Sequence, residues 1–401
     1  MKTLIATVAV LAAAGPACAE DVKLTPLADL RARYEYVDQD GLADKADALT
    51  LRLRGGLAAS DGGWSALVEG EGTLAAIAHY YDGLNGAATR PLVADPQTIG
   101  LYRAQLQYKS KAITLTAGRQ RIALDDERFV GAVGFRDNGQ TFDAVRAEWT
   151  AIPKLKVDVS YAWSVRTIWG IDGNGARQQA VSGNNILANV GYATPLGTLT
   201  GFAYLVDQDE AAVQKYRLSS QTYGGRLVGA RALAKGVKLS WQASYARQSA
   251  YHRNPNSYAA DYYLIDGALD VRALRLGAGY EVLGADGGTA LTSFQTPLAT
   301  GFKFQGWADK FLTTPPNGVR DLYGSLGYSL KTLGRAKAVT VQATFHRFDS
   351  DRLGQHYGNE VDLLASAKLG RTTLSARYAD YSARSFMTDT KKAWLQLDWA
   401  L

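Results

Sequence analysis

The sequence predicts an all-β fold: a transmembrane antiparallel β-barrel of about 18 strands, with 16 as the next choice. Three observations carry this. Apolar and polar side chains alternate with a period of two along most of the chain, as only strands do. The alternating runs are about ten to fourteen residues long, enough to cover the roughly nine to eleven that a tilted strand needs to cross a bilayer. Connections alternate between short turns and long loops, the arrangement that puts turns on the periplasmic rim and loops outside.

The chain opens with MKTLIATVAVLAAAGPACAED: Lys2, an apolar run from Leu4 to Ala14, then Ala17-Cys18-Ala19. This reads as a secretory signal over residues 1–19, followed by one barrel domain over 20–401. Cys18 is the only cysteine, so no disulfide is expected beyond the signal. Past it there is no apolar run long enough for a spanning helix. No linker or shift in composition divides the remainder. The richness in Gly (41) and Tyr (22), against 2 Met, suits tight turns and interfacial aromatics.

Strands are expected to begin near residues 27, 47, 64, 98, 112, 139, 155, 184, 198, 219, 237, 261, 273, 319, 337, 358, 371 and 391. The second is ALTLRLRGGL, with Leu49, Leu51, Leu53 and Leu57 on one face and Thr50, Arg52 and Arg54 on the other. LKVDVSYAWSVR sets Val157, Val159, Tyr161, Trp163 and Val165 against Lys156, Asp158, Ser160, Ser164 and Arg166. VKLSWQASYARQ and the terminal TKKAWLQLDWAL alternate in the same way. Short turns fall at 60–63, 110–112, 152–154, 194–197, 234–236 and 369–371. Long segments fall at Ala76–Gln97, Ile122–Gly139, Trp169–Gly183 and Gly284–Gly318. The first, rich in Gly and Ala, is read as a mobile lid. FKFQGWADKFL (302–312) is read as loop, with strand as the other assignment.

A lipid-facing Arg at mid-membrane costs about 2–4 kcal/mol, so strand charges belong in the lumen. Alternation therefore sends Arg31, Arg33, Arg52, Arg54, Arg103, Lys109, Arg146, Lys156, Arg166, Arg226, Arg275, Lys368 and Arg377 inward, with Glu35, Glu69, Glu71, Asp158, Glu281, Glu360, Asp362 and Asp398 among the inward acids. The lumen is expected to be mixed but to lean cationic, as the net charge of +6 does, and Arg and Lys rings favour anions. The stretch AGRQRIALDDERFVGAVGFRDNGQTFDAVR (117–146) adds Arg119, Arg121, Arg128 and Arg136 as pore-lining residues. Its loop is expected to fold into the pore, with Asp125, Asp126 and Glu127 as ion-pair partners of the wall. The plainer reading is that these pairs only pin the loop.

The same stretch resembles the alginate-export family of outer-membrane proteins. The likeness rests on Gly118-Arg119-Gln120, Asp125-Asp126-Glu127-Arg128-Phe129, Gly134-Phe135-Arg136 and Gln140-Thr141-Phe142-Asp143-Ala144. A second block, Phe294–Tyr328, is similar to the family as well, and so are LRARYEYVDQ and WLQLDW. The resemblance implies an eighteen-stranded barrel in the outer membrane of a Gram-negative bacterium that passes anionic solutes, possible cargo being a uronate polymer or oligosaccharide. The chain departs from the exporters at residues 369–371, where a three-residue turn replaces a long periplasmic plug.

Other chemistry is set aside. His79, His252, His346 and His356 form no H-E-x-x-H or Cys/His pattern, so neither metal nor cofactor is expected. No G-x-S-x-G or phosphate loop occurs. The best hydrolase arrangement is His346 with Asp349 and Ser350, which a barrel enzyme would place at the lipid boundary. The expectation is a non-enzymatic, monomeric, porin-like anion channel. Its partners are an anionic small molecule or polysaccharide and outer-membrane lipid, with no role for nucleic acid. The other readings are a general porin without a polysaccharide role and, behind it, a barrel hydrolase.

Overall fold

A computed structural model describes residues 22–401; the signal-peptide reading of 1–19 lies outside the described residues. The chain forms eighteen strands: β1 (Lys23–Gln39), β2 (Ala46–Asp61), β3 (Trp64–His79), β4 (Thr98–Lys109), β5 (Ile113–Gln120), β6 (Thr141–Trp149), β7 (Leu155–Arg166), β8 (Ala180–Thr194), β9 (Gly197–Val206), β10 (Ser220–Ala234), β11 (Val237–Ala250), β12 (Ala259–Val271), β13 (Leu274–Leu283), β14 (Val319–Leu333), β15 (Ala336–Asp349), β16 (His356–Leu369), β17 (Thr372–Ala383) and β18 (Thr390–Ala400). Each pairs antiparallel with its sequence neighbours, and β1 also pairs with β18, from Asp29↔Ala400 to Gln39↔Thr390. The sheet closes, so no edge is left unpaired.

The expected alternation decides which way each residue faces. On β18, Leu395 is 61% exposed and Trp394 is 1% exposed. Outward Leu51, Leu53, Val68, Leu106, Leu326 and Leu397 make the lipid-facing surface, whereas Arg33, Glu35, Glu71, Asp158 and Glu281 are buried inside. Outward aromatics gather toward both rims: Trp64, Tyr192 and Tyr328 near the turns, and Tyr223, Tyr245, Tyr263 and Tyr280 near the loops.

Three long connections fold into the barrel. Residues 121–140 and 284–318 meet through Val130↔Leu298, Gly131 N–H donating to Leu298 O (2.8 Å) and Thr300 N–H donating to Glu127 O (3.1 Å). Their apolar residues Ile122, Leu124, Val130, Phe294, Leu298 and Phe311 pack on wall residues including Phe202, Tyr262 and Phe348. Phe129 lies between Phe202 (5.2 Å) and Tyr262 (5.0 Å). The core of the protein is therefore inside the barrel. Residues 302–312 are loop with one short 3-10 turn, Gly301–Lys303, rather than strand. Of the segment expected as a mobile lid (76–97), residues 76–79 belong to β3, and the loop 80–97 is bonded to the wall, where Arg33 Nη2 of β1 lies 2.9 Å from the fully buried Asp95.

Candidate functional site: the charged lumen

The inward charges are not a uniform cationic ring. Arginines gather on β1, β2, β4 and β17, while carboxylates gather on β12–β16, where Asp266, Glu281, Asp321 and Asp362 line a cavity of about 330 Å³ and Glu360 lies on the same wall. Most of the arginines are engaged by acids. Arg33 Nη2 is 2.9 Å from both Asp95 and Asp137. Arg54 pairs with Glu71, and its guanidinium lies 4.0 Å from the Tyr102 ring. Arg103 pairs with Glu69 at 2.6 Å, and Arg146 with Asp158 at 2.6 Å. Lys156 reaches Glu148 at 2.9 Å and is largely exposed.

The loop arginines work as fasteners. Arg128 Nε donates to Glu281 on β13 (2.6 Å) while Nη2 donates to Gln305 of the second inward loop (3.2 Å). Arg136 joins Glu35 on β1 (3.2 Å), Asp95 (3.3 Å) and Asp309 (2.8 Å). Burial pushes the Asp95 carboxyl up, but Arg33 and Arg136 outweigh it and hold the group below the ordinary carboxylate value. The three loop acids divide their tasks. Asp126 pairs with Arg226 on the wall (2.7 Å). Glu127 pairs with Lys303 of the other loop (2.6 Å), and Asp125 accepts from Asn189 Nδ2 (2.9 Å) rather than meeting a cation. Backbone N–H groups of Trp307 and Ala308 complete the clamp by donating to Asp362 (3.3 Å) and Glu360 (2.7 Å).

Two of the expected pore-lining residues, Arg119 and Arg166, are placed differently. Arg119 is in register with Ala104 and Asp143, on the same outward face as Leu106 and Val68. Arg166 shares that face. A bulge between Ala162 and Ser164 shifts the register of β7, so simple alternation from Lys156 fails beyond Trp163. Arg119 and Arg166 both pair with Asp143, at 2.7 and 3.1 Å, where the short β5 and β6 leave the wall low. Ile171 N–H donates to Thr98 Oγ1 (3.0 Å) across that gap. Arg121, just past β5, is exposed and makes no ion pair among the described residues.

Sequence reasoning did not single out Arg377 as a site. It faces the lumen on β17, in register with Trp394, with its guanidinium 5.6 Å from Phe135 and 5.9 Å from Trp307. Its hydrogen bond is to Ser375 Oγ (3.2 Å), and it makes no ion pair among the described residues. Arg52 pairs with Asp29, but its Nε and Nη1 have no partner. Arg31 pairs with Asp398 at 2.7 Å and donates to Phe135 O at 2.8 Å. Inward parity of Arg377 was readable; its lack of an acid partner was not.

The hydrolase arrangement does not assemble. His346 faces the lumen with Nδ1 3.0 Å from Asp321, while Asp349 is held by Arg347 and His356, and Ser350 Oγ accepts from Gln355 N–H (2.8 Å).

A closed 18-stranded barrel with a lipid-facing exterior and a charged interior defines an outer-membrane protein of porin architecture. Residues 23–168 match the family model described as alginate export, so this part of the barrel is similar to that family. The matched span includes the 117–146 stretch; the second block, Phe294–Tyr328, lies beyond it. No curated protein matches the chain. Among solved structures it is similar to OccK9 (OpdG) of Pseudomonas aeruginosa, at 15% identity and TM-score 0.72 over 94% of this chain and 98% of that one. It is similar to OccAB4 of Acinetobacter baumannii, at 13% identity and TM-score 0.70 over 95% and 98%. It is also similar to the outer membrane protein opdK of P. aeruginosa, at 13% identity and TM-score 0.69 over 94% and 98%.

Proposed function

We propose that the protein is a monomeric channel through which anionic hydrophilic solutes, with uronate oligosaccharides as the favoured class, diffuse across the outer membrane. Residues 1–19 act as its export signal and leave before assembly. The observation that carries this reading is Arg377, whose inward, partly exposed guanidinium is hydrogen-bonded within the protein only to Ser375 Oγ among the described residues. A planar guanidinium fork suits a carboxylate. The Phe135 and Trp307 rings beside Arg377 offer an apolar face for a sugar ring. The passage needs no cofactor and no covalent step; selectivity comes from the potential and width of the lumen.

The test is solute flux into vesicles carrying the protein. Uronate oligosaccharides should enter faster than neutral oligosaccharides of the same length, and Arg377→Gln should reduce that difference. Equal entry would favour a general porin without a polysaccharide role, the reading that the acid-rich β12–β16 wall supports.

A further inference from the structure

We infer that the turn-side rim beneath β10–β17 is a binding surface for anionic phospholipid headgroups of the periplasmic leaflet. The inference goes beyond the channel reading and uses a different part of the molecule.

The sequence in this sector is stripped of acids. There is no Asp or Glu between Glu210 and Asp261, between Asp321 and Asp349, or between Asp362 and Asp380. These spans contain the turns β10–β11, β14–β15 and β16–β17. At those turns and at β12–β13 stand Arg231, Lys235, Arg272, Arg335, Lys337 and Arg371, all exposed. None of the six makes an ion pair among the described residues; the nearby pair is Arg275 with Asp270, at 2.9 Å. On the opposite rim of the same sector Arg352 and Arg384 are also exposed and make no ion pair among the described residues, but acids stand among the cations. There Arg247 pairs with Asp261 (3.0 Å), Arg320 with Asp351 (2.9 Å) and Arg347 with Asp349 (3.0 Å). Six exposed cations without an ion pair among the described residues thus follow one another along the end of the barrel that carries the short turns, which is the periplasmic one.

The neighbours of these cations favour a lipid over a soluble partner. Arg231 is in register with outward Leu239, and Lys337 with Thr332 on the outward face of β14. Leu233, Leu274, Tyr328 and Leu369 stand exposed at the same height and continue the lipid-facing surface down to the turns. Long basic side chains that leave an aliphatic surface at its edge lay their stems along it and raise their charge to headgroup depth. Each such cation near an anionic membrane surface is worth roughly 1 kcal/mol. A soluble acidic partner would have no use for a collar that follows the lipid boundary across four successive hairpins.

The test compares the wild-type protein with a variant carrying Gln at all six positions, both in phosphatidylcholine vesicles with trace spin-labelled phosphatidylglycerol or phosphatidylcholine. Heat-modifiable gel mobility confirms that the variant folds. If that variant does not fold, the Arg335→Gln, Lys337→Gln, Arg371→Gln triple change replaces it. The wild-type protein should retain phosphatidylglycerol about fivefold over phosphatidylcholine at low salt. The preference should fall toward parity in molar salt and in the variant. Equal retention by the wild-type protein, or a preference unchanged in the variant, overturns the inference. Displacement of the labelled phosphatidylglycerol by soluble uronate oligomers also overturns it, since the collar's ligand would then be a polyanion in solution. The readout is lipid retention, so it stands or falls independently of conductance.

Discussion

Arg136 Nη2 lies 2.8 Å from Asp309 Oδ2, joining two inward loops whose sequence positions are 173 residues apart. Both side chains are buried, and the same guanidinium reaches Glu35 on the wall. One residue thus ties loop to loop and loop to barrel.

Arg136→Ala should therefore loosen the plug rather than the barrel. Removing one partner of a buried ion pair costs about 3–5 kcal/mol, because the acids left behind are uncompensated. Single-channel recording should give a larger and noisier conductance, while heat-modifiable mobility on a gel is kept. An unchanged conductance would mean that the loops are held without this clamp.

Free arginines and committed arginines should behave differently. Arg377→Gln should weaken block by uronate oligomers about tenfold, the loss of one charge-assisted hydrogen bond. Thermal stability should be little altered, since Arg377 engages no acid. Arg54→Ala should do the reverse, lowering the unfolding temperature, because Glu71 is left buried without its partner. Thermal melts beside blocker titrations separate the two cases.

Gly118 is the residue of the Gly-Arg-Gln motif that the backbone demands. Its φ is +107°, and a Cβ there would meet Ala104 O at 2.3 Å across the β4–β5 pairing. Gly118→Val should abolish the folded barrel, read as loss of heat-modifiable mobility, while a substitution at open Gly134 should leave it intact.

Lys310, on the second inward loop, gives the docking a pH dependence. Burial, with Lys392 beside it, lowers its pKa to about 8. The folded form therefore binds fewer protons than the unfolded one between about 8 and the ordinary lysine value of 10.5. Its contribution to stability rises with pH across that window. Loop noise in single-channel records should fall as pH is raised from 8 toward 10. Lys310→Met should remove this dependence, and persistence of the trend in that variant would assign it to another group.

Sequence patterning located the architecture closely. Each expected strand start falls within four residues of the observed one, because one face of every strand is committed to lipid and the other to water or loop. What escaped was set by local irregularity and by distance. The bulge at Trp163 reversed the parity of Arg166, and nothing in LKVDVSYAWSVR marks it. The neutralisation of Arg33 depends on Asp95 and Asp137 of the inserted loops, and that of Arg54 and Arg103 on the strand register that sets them opposite Glu71 and Glu69. Asp95 and Asp309 were invisible as partners because the pairs they form span tens to hundreds of residues.

The measurement that tests the central claim most directly is the reversal potential of the purified protein in a planar bilayer under a salt gradient. The account predicts a steady conductance with a reversal potential shifted toward that of the anion, reduced by Arg377→Gln together with Arg52→Gln. A cation-preferring reversal potential, or no conductance at all, would contradict it.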